Sequence, residues 1–253
     1  MTGVQTCALP ISVEDVLTAQ TGLTWTWNTD GSGILRSDDW LQYVLDKPIG
    51  DRVGYALQAH AYLMSAIVQT VVRNATGSDA LALAQERLFD PLGISDVTWD
   101  ISPDGAPSHL GLHLKMRDMT KWGHLYLNQG ACDDQQIVPA DWVAASTISQ
   151  METAFEDQFL SFGYLMNVYD LGAYAAQGTD WSGVNGTAAI VVMPEIDVVF
   201  AFNIVKRVNG CQMIKNFCDY YIMPAAVSDE PLPENPEALA ELNTLIEAVA
   251  ADA

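Results

Sequence analysis

A serine becomes a nucleophile when a base stands beside its hydroxyl, and the most compact sequence form of that pair is a lysine one helical turn later. The lysines stand at 47, 115, 121, 206 and 215, and the residues three before them are Val44, Leu112, Asp118, Asn203 and Gln212. No Ser-x-x-Lys pair is therefore present in the 253 residues. The cysteines, at 7, 132, 211 and 218, form no Cys-x-x-Cys, which argues against structural zinc and dithiol redox chemistry, and no cofactor is expected. Cys211 and Cys218 lie on an expected helix, about two turns or roughly 10 Å apart, too far for a mutual disulfide. A bridge from Cys132 to either stays open. Trp25, Trp27, Trp122, Tyr164 and Trp181 offer large apolar faces that could line a substrate pocket, with core packing as the competing use. Trp181 is the one we assign to a pocket. His60 reads as a helix-start residue rather than a general base, and Asn74-Ala75-Thr76 matches the glycosylation sequon only formally.

These side chains need a framework. Apolar residues make up 49% of the chain, ample for a packed core. Asp and Glu number 32 against 11 Lys and Arg, a formal net charge of -21. Nucleic acid and anionic membrane surfaces would repel such a molecule, so neither is expected as a partner. No apolar run approaches the roughly 18 residues of a membrane-spanning helix. Thr2 to Ile11 resembles the conceptual translation of a sequencing-adapter oligonucleotide, so residues 1–11 are expected to be an artefact and Cys7 with them. The stretch lacks the basic start of a secretory signal.

Helical signals dominate the first half. Ser12 is placed to cap a short helix to Leu17, followed by a turn at Gln20 to Leu23 and a polar, glycine-containing loop. An amphipathic segment from Asp38 to Leu45 is stopped by Lys47-Pro48. Met64, Ile67, Val68 and Val71 mark a helix ending near Gly77, and Leu81, Ala84 and Leu88 mark the next, broken by Pro91-Leu92-Gly93. Met119, Trp122, Gly123 and Tyr126 repeat the helical spacing after a cap at Asp118, with Gly130 as the stop. Strand-like runs then cover 162–169, 173–177, 187–193 and 198–205. The last two are joined by only Pro194 to Asp197, which requires an antiparallel hairpin. A helix over 211–221, a Pro- and Glu-rich linker and a final Ala/Leu/Glu helix complete the chain. The expected class is α/β, an antiparallel sheet flanked by helices with a helical subdomain. It has one domain over 12–227 and an appended linker and helix over 228–253.

Several segments, in order, resemble the serine hydrolases of the β-lactamase (class C)/penicillin-binding family. Ile11 to Leu23 is similar to the family's I-T-V-x-x-L-L-T-H-T-S-G-L segment, and Leu88 to Ile94 to its P-L-G-M turn. Leu112 to Gly130, with Arg117-Asp118-Met119 and Leu125-Tyr126-Leu127-Asn128, is similar to its R-D-M-A-K-x-G-x-L-Y-L-N-x-G helix, and Gln136 to Val143 to the segment after it. The resemblance implies a β-lactamase/transpeptidase-like fold and cleavage of a small-molecule ester or amide through an acyl-enzyme. It also implies a Ser-x-x-Lys nucleophile some tens of residues ahead of Ser12, so the chain is expected to be N-terminally truncated and inactive alone. An inactive binding relative is the alternative. The family's catalytic tyrosine falls on Tyr55, with Tyr62 as the alternative. Its Lys-Thr-Gly or His-x-Gly triplet falls on Asn185, Gly186 and Thr187, with Ala188 supplying the oxyanion N–H. An asparagine at 185 replaces the usual basic residue, which puts recognition of a substrate carboxylate in doubt. The resemblance favours a periplasmic or secreted location and leaves oligomeric state open.

Overall fold

The computed structural model describes residues 11–50, 57–152, 161–169, 174–179, 187–204, 210–228, 230 and 233–251. The chain forms two compact units, Met1–Lys215 and Asn216–Ala253. The first opens with α1 (Val13–Leu17). Ser12 caps it as expected: its Oγ accepts from the Asp15 N–H while the Asp15 carboxylate accepts from the Ser12 N–H, a reciprocal capping box. The stretch expected to be a polar loop is α2 (Trp27–Ile34), and α3 (Trp40–Leu45) follows, capped by Asp39. The long α4 (Leu57–Thr76) matches the Met64 to Val71 periodicity and ends before Gly77, at φ +74°. α1 to α4 enclose one core of Val16, Leu23, Ile34, Val44, Leu63 and Met64. This is the helical subdomain. α2 escaped the sequence reading because a helix with two glycines is held by that burial and not by propensity.

α5 (Ala80–Ala84) runs into a π-helical turn over Gln85–Phe89 and breaks at Pro91-Leu92-Gly93. An antiparallel pair absent from the sequence reading follows, β1 (Thr98–Ile101) with β2 (Pro107–His113). Next come α6 (Met116–Leu127), a short hairpin of β3 (Ala131–Cys132) and β4 (Gln135–Gln136), and α7 (Ala140–Thr147). Helix α6 begins two residues before Asp118, which sits buried in the first turn and accepts an ion pair from Lys121 at 2.9 Å. The Lys121 ammonium also donates to the Gly93 carbonyl at 2.8 Å, so α6 pins the Pro-Leu-Gly turn.

The main sheet has six strands in the order β10-β9-β8-β7-β6-β5, all antiparallel. They are β5 (Met151–Glu152), β6 (Ser161–Phe162), β7 (Asn167–Val168), β8 (Tyr174–Thr179), β9 (Thr187–Met193) and β10 (Val198–Ile204). The hairpin expected from Pro194 to Asp197 is present, seven residues in unbroken register from Val198↔Met193 to Ile204↔Thr187. The single strand expected over 162–169 is instead a tight hairpin. Leu165 adopts φ +54°, and a Cβ on Gly163 would lie 2.1 Å from the Ser146 carbonyl oxygen. Both faces of β9 are covered, since Val191 and Met193 on one and Val192 on the other are almost wholly buried. Helix α6 lies on the Val192 face, where a Cβ on Gly123 would come within 2.5 Å of Val199 Cγ1. Cys132 carries a free thiol, so neither bridge left open from sequence forms. α8 (Gly210–Phe217) follows the sheet. The second unit contains a π-helical turn over Cys218–Ile222, α9 (Met223–Ala225) and α10 (Pro236–Ala251). Among the described residues no helix is long and apolar enough to cross a membrane.

Candidate active site

The β-strand position assigned to the oxyanion donor decides the geometry. Ala188 lies near the start of β9, opposite Gly178 of β8 on one side and Asn203 of β10 on the other, and Thr187 is likewise opposite Thr179 and Ile204. In a strand, a residue's N–H and C=O point to the same side. With a neighbour on each side, the Ala188 amide is directed into the sheet ladder whichever way it faces. The unpaired backbone is on β8: only Tyr174 and Ala175 pair with β7, and residues 176–179 have no strand on that side among the described residues. Alternate residues of this stretch, either Ala176 and Gly178 or Gln177 and Thr179, therefore turn N–H groups outward. The sequence carried a signal for this position. Gln177-Gly178-Thr179 holds a glycine inside a strand pattern, a mark of close backbone approach.

Other expected residues are less closely placed. Tyr55, Trp181, Asn185 and Gly186 lie outside the described residues. Tyr62 and His60 fall in α4, and Thr187 opens β9. The chain leading to Tyr55 is nevertheless fixed up to Gly50. Leu23 and Ile49 form an antiparallel bridge, the Thr24 N–H donates to the Pro48 carbonyl at 2.9 Å, and the Gly50 N–H donates to the Gly22 carbonyl at 2.8 Å. The turn after α1 therefore holds residues 48–50. The last residue of α1 reaches the β6–β7 hairpin, since the Leu165 N–H donates to the Leu17 carbonyl at 2.9 Å.

A largely buried ion pair that the sequence reading missed fixes the remainder of this lead-in. Lys47 Nζ donates to Asp30 Oδ1 at 2.5 Å, Tyr43 donates to the same oxygen at 3.0 Å, and the Thr26 N–H donates to Asp30 Oδ2 at 2.6 Å. The ammonium lies 3.9 Å from the Tyr43 ring centroid and 5.9 Å from that of Trp25. Burial opposes ionisation of both partners. The Lys47, Thr26 and Tyr43 hydrogen bonds outweigh it at Asp30 and hold its carboxyl below the usual range, while Asp30 and Tyr43 hold Lys47 above its own. A Cβ on Gly33 would lie 2.1 Å from the Tyr43 hydroxyl, so only glycine admits that ring.

The aromatic residues considered for a pocket serve as packing where they are described. Trp25 packs on the helical core, Trp122 lies 4.5 Å from Tyr126, and Tyr164 lies 5.4 Å from Trp142. Burial pushes the Tyr126 phenol up against the hydrogen bonds from Ser146 and Trp142 that favour ionisation, which suits a core residue and not a proton shuttle. A separate open groove of about 660 Å³, lined in part by Lys121, His124, Cys132 and Asp197, shares no residue with the β8 edge.

A family model described as Beta-lactamase matches residues 6–209. The fold is also similar to that of an octameric penicillin-binding protein homologue from Pyrococcus abyssi, with a TM-score of 0.63 at 14% identity over 85% of this chain and 56% of that one. A D-stereospecific amidohydrolase from Streptomyces sp. gives a TM-score of 0.56 at 13% identity, covering 83% of this chain and 73% of that one. The chain thus spans little more than half the length of the Pyrococcus protein. No curated protein matches it.

Proposed function

The chain belongs to the beta-lactamase family, and from that premise we propose that it supplies the oxyanion edge and proton-transfer side of a serine hydrolase acting on an ester or amide. The observation that carries this reading is that residues 176–179 of β8 pair with β9 but with no strand on their other side among the described residues. In the proposed reaction a serine Oγ attacks the carbonyl carbon of the substrate. Its proton passes to a base, and the carbonyl oxygen takes up the negative charge. An outward N–H of β8 stabilises that oxyanion, because a fixed dipole in a water-poor site reorganises little as charge develops. Collapse of the intermediate expels an alcohol or amine, to which Tyr55 relays the proton taken from the serine, and water then hydrolyses the acyl-enzyme, its proton returning through Tyr55 to the serine.

The oxyanion role first assigned to Ala188 passes, in this proposal, to Gly178 or Thr179. Asn185, Gly186 and Thr187 become the return into β9, and Trp181 the wall of the acyl pocket. With a neutral glutamine at 177, just ahead of Gly178, no cation faces a substrate carboxylate from that position, which favours neutral esters and amides, including D-amino-acid amides, over β-lactams. The nucleophile is assigned to residues preceding Ser12. A second reading, a binding protein of the same fold, is favoured by the lack of any Ser-x-x-Lys in the sequence.

A fluorophosphonate probe read by intact mass tests the proposal. The chain alone should take up no adduct, whereas the same chain extended by the upstream codons of its gene should gain one, on a serine followed by lysine three residues later. An adduct on any serine of the present chain would refute the assignment of the nucleophile. No adduct on the extended protein would leave the binding reading in its place.

A further inference from the structure

The second unit, Asn216–Ala253, lies wholly beyond the 6–209 stretch that the family model matches, so the family fold does not account for its surface. Helix α10 is set by its own local signals: Pro236 occupies the first helical position, and the Asn235 side chain accepts from the Ala238 N–H at 3.0 Å. Leu239, Leu242, Leu245 and Ile246 on this helix are 52–59% exposed. At about 100° per residue they fall in one sector about 120° wide, while Glu237, Glu241 and Glu247 fall outside it. Residues 216–253 carry eight acidic side chains and no Lys, Arg or His.

We propose that α10 is a docking helix for a second protein, one that presents an apolar groove with a basic rim. Four exposed aliphatic anchors along one stripe are the pattern of a helix laid into a groove. The single sign of charge selects the rim, because like charges at a rim suppress association and opposite charges speed it. A second copy fits poorly. The 16-residue helix is about 24 Å long and its stripe about 10 Å wide, so two stripes face to face would bury roughly 500 Å², against roughly 1,200 Å² or more for a stable interface. Each copy would also bring the same eight negative charges. A groove encloses the helix on three sides and so buries more of it.

The test uses the full chain and two synthetic helix-hairpin peptides whose paired helices form a leucine-lined groove, one rimmed by lysines and one by glutamates, followed by fluorescence anisotropy. The lysine peptide should bind, with affinity falling at least about tenfold between about 50 mM and 500 mM salt, and the glutamate peptide should not. Leu242→Asp with Ile246→Asp should abolish binding. Because that pair could unwind the helix, a triple Glu237→Gln, Glu241→Gln, Glu247→Gln variant, which keeps the stripe and the helix propensity, should weaken binding and flatten its salt dependence. Equal binding of both peptides or binding of neither would overturn the proposal. So would sedimentation of the unliganded chain as a dimer that the Leu242 and Ile246 changes dissociate, or uptake onto phosphatidylcholine vesicles. Unchanged exposure of α10 in the chain without peptide, by hydrogen exchange, is required; protection there would mean that the chain itself covers the stripe.

Discussion

Lys47 and Asp30 show how two side chains can tie α2, α3 and the turn after α3 together. Asp30→Asn removes the ion pair but keeps hydrogen-bonding capacity and should cost about 2 kcal/mol, the scale of a charged hydrogen bond in a largely buried setting, measured by urea unfolding at neutral pH. The pH dependence has a definite sign. The Asp30 carboxyl is held below its usual value, so its contribution is present above the ordinary carboxylate range and is lost as pH falls through the depressed value. Lys47 is held above its usual value, so its contribution is complete below the ordinary lysine range and is lost as pH rises through the elevated value. A plot of unfolding free energy against pH should therefore be flatter at both extremes in Asp30→Asn than in the parent; an unchanged slope at both ends would refute the coupling. Gly33→Ala should move Tyr43 off Asp30 and cost about 1–3 kcal/mol, with the Trp25 emission shifting as Lys47 is released.

Elements meet in this fold through glycines and open edges. Helix α6 lies flat on β9 and β10 because Gly123 has no side chain, and Gly123→Ala would drive a methyl into Val199 and Ile190. The expected loss is about 1–3 kcal/mol, read as a lower urea midpoint with an unchanged m-value. The β8 edge gives a sharper test in a catalytically competent, upstream-extended protein. Proline removes an N–H, and a strand tolerates that only where the N–H faces away from its neighbour. One of Gly178→Pro and Thr179→Pro should therefore keep the fold while lowering kcat by about a hundredfold or more, and the other should unfold the sheet. If the folded variant retains full turnover, β8 is not the oxyanion strand.

The whole molecule carries 32 acidic against 11 basic side chains, and this imbalance opposes compaction by self-repulsion. Raising NaCl from about 50 mM to 1 M shortens the screening length from more than 10 Å to about 3 Å, and Tm should rise. A fall in Tm would mean that specific ion pairs such as Lys47–Asp30 and Lys121–Asp118 outweigh the repulsion. Truncation before Pro236 should leave Tm nearly unchanged, since the large apolar side chains described on α10 are exposed and little burial is lost with them.

Local rules determined much of this protein. Ser12 had to cap α1, the four residues Pro194 to Asp197 had to close a hairpin, and the ordered motifs from Ile11 to Val143 placed the chain in its family, because each depends on residues close in sequence. Tertiary packing decided the rest. Trp27 to Ile34 became helix through burial of Ile34 against Val16 and Val44, although its two glycines argued otherwise. The 162–169 run folded back on itself because Gly163 meets the Ser146 carbonyl. The family resemblance pointed to Ala188 as the oxyanion donor, but a strand's free edge is a property of its neighbours, and the neighbours of β9 are β8 and β10. Only the pairing of strands shows that Ala188 has a partner on each side while Gly178 and Thr179 have one on β9 alone among the described residues, since sequence spacing records the order of strands along the chain and not which of them lies at an edge.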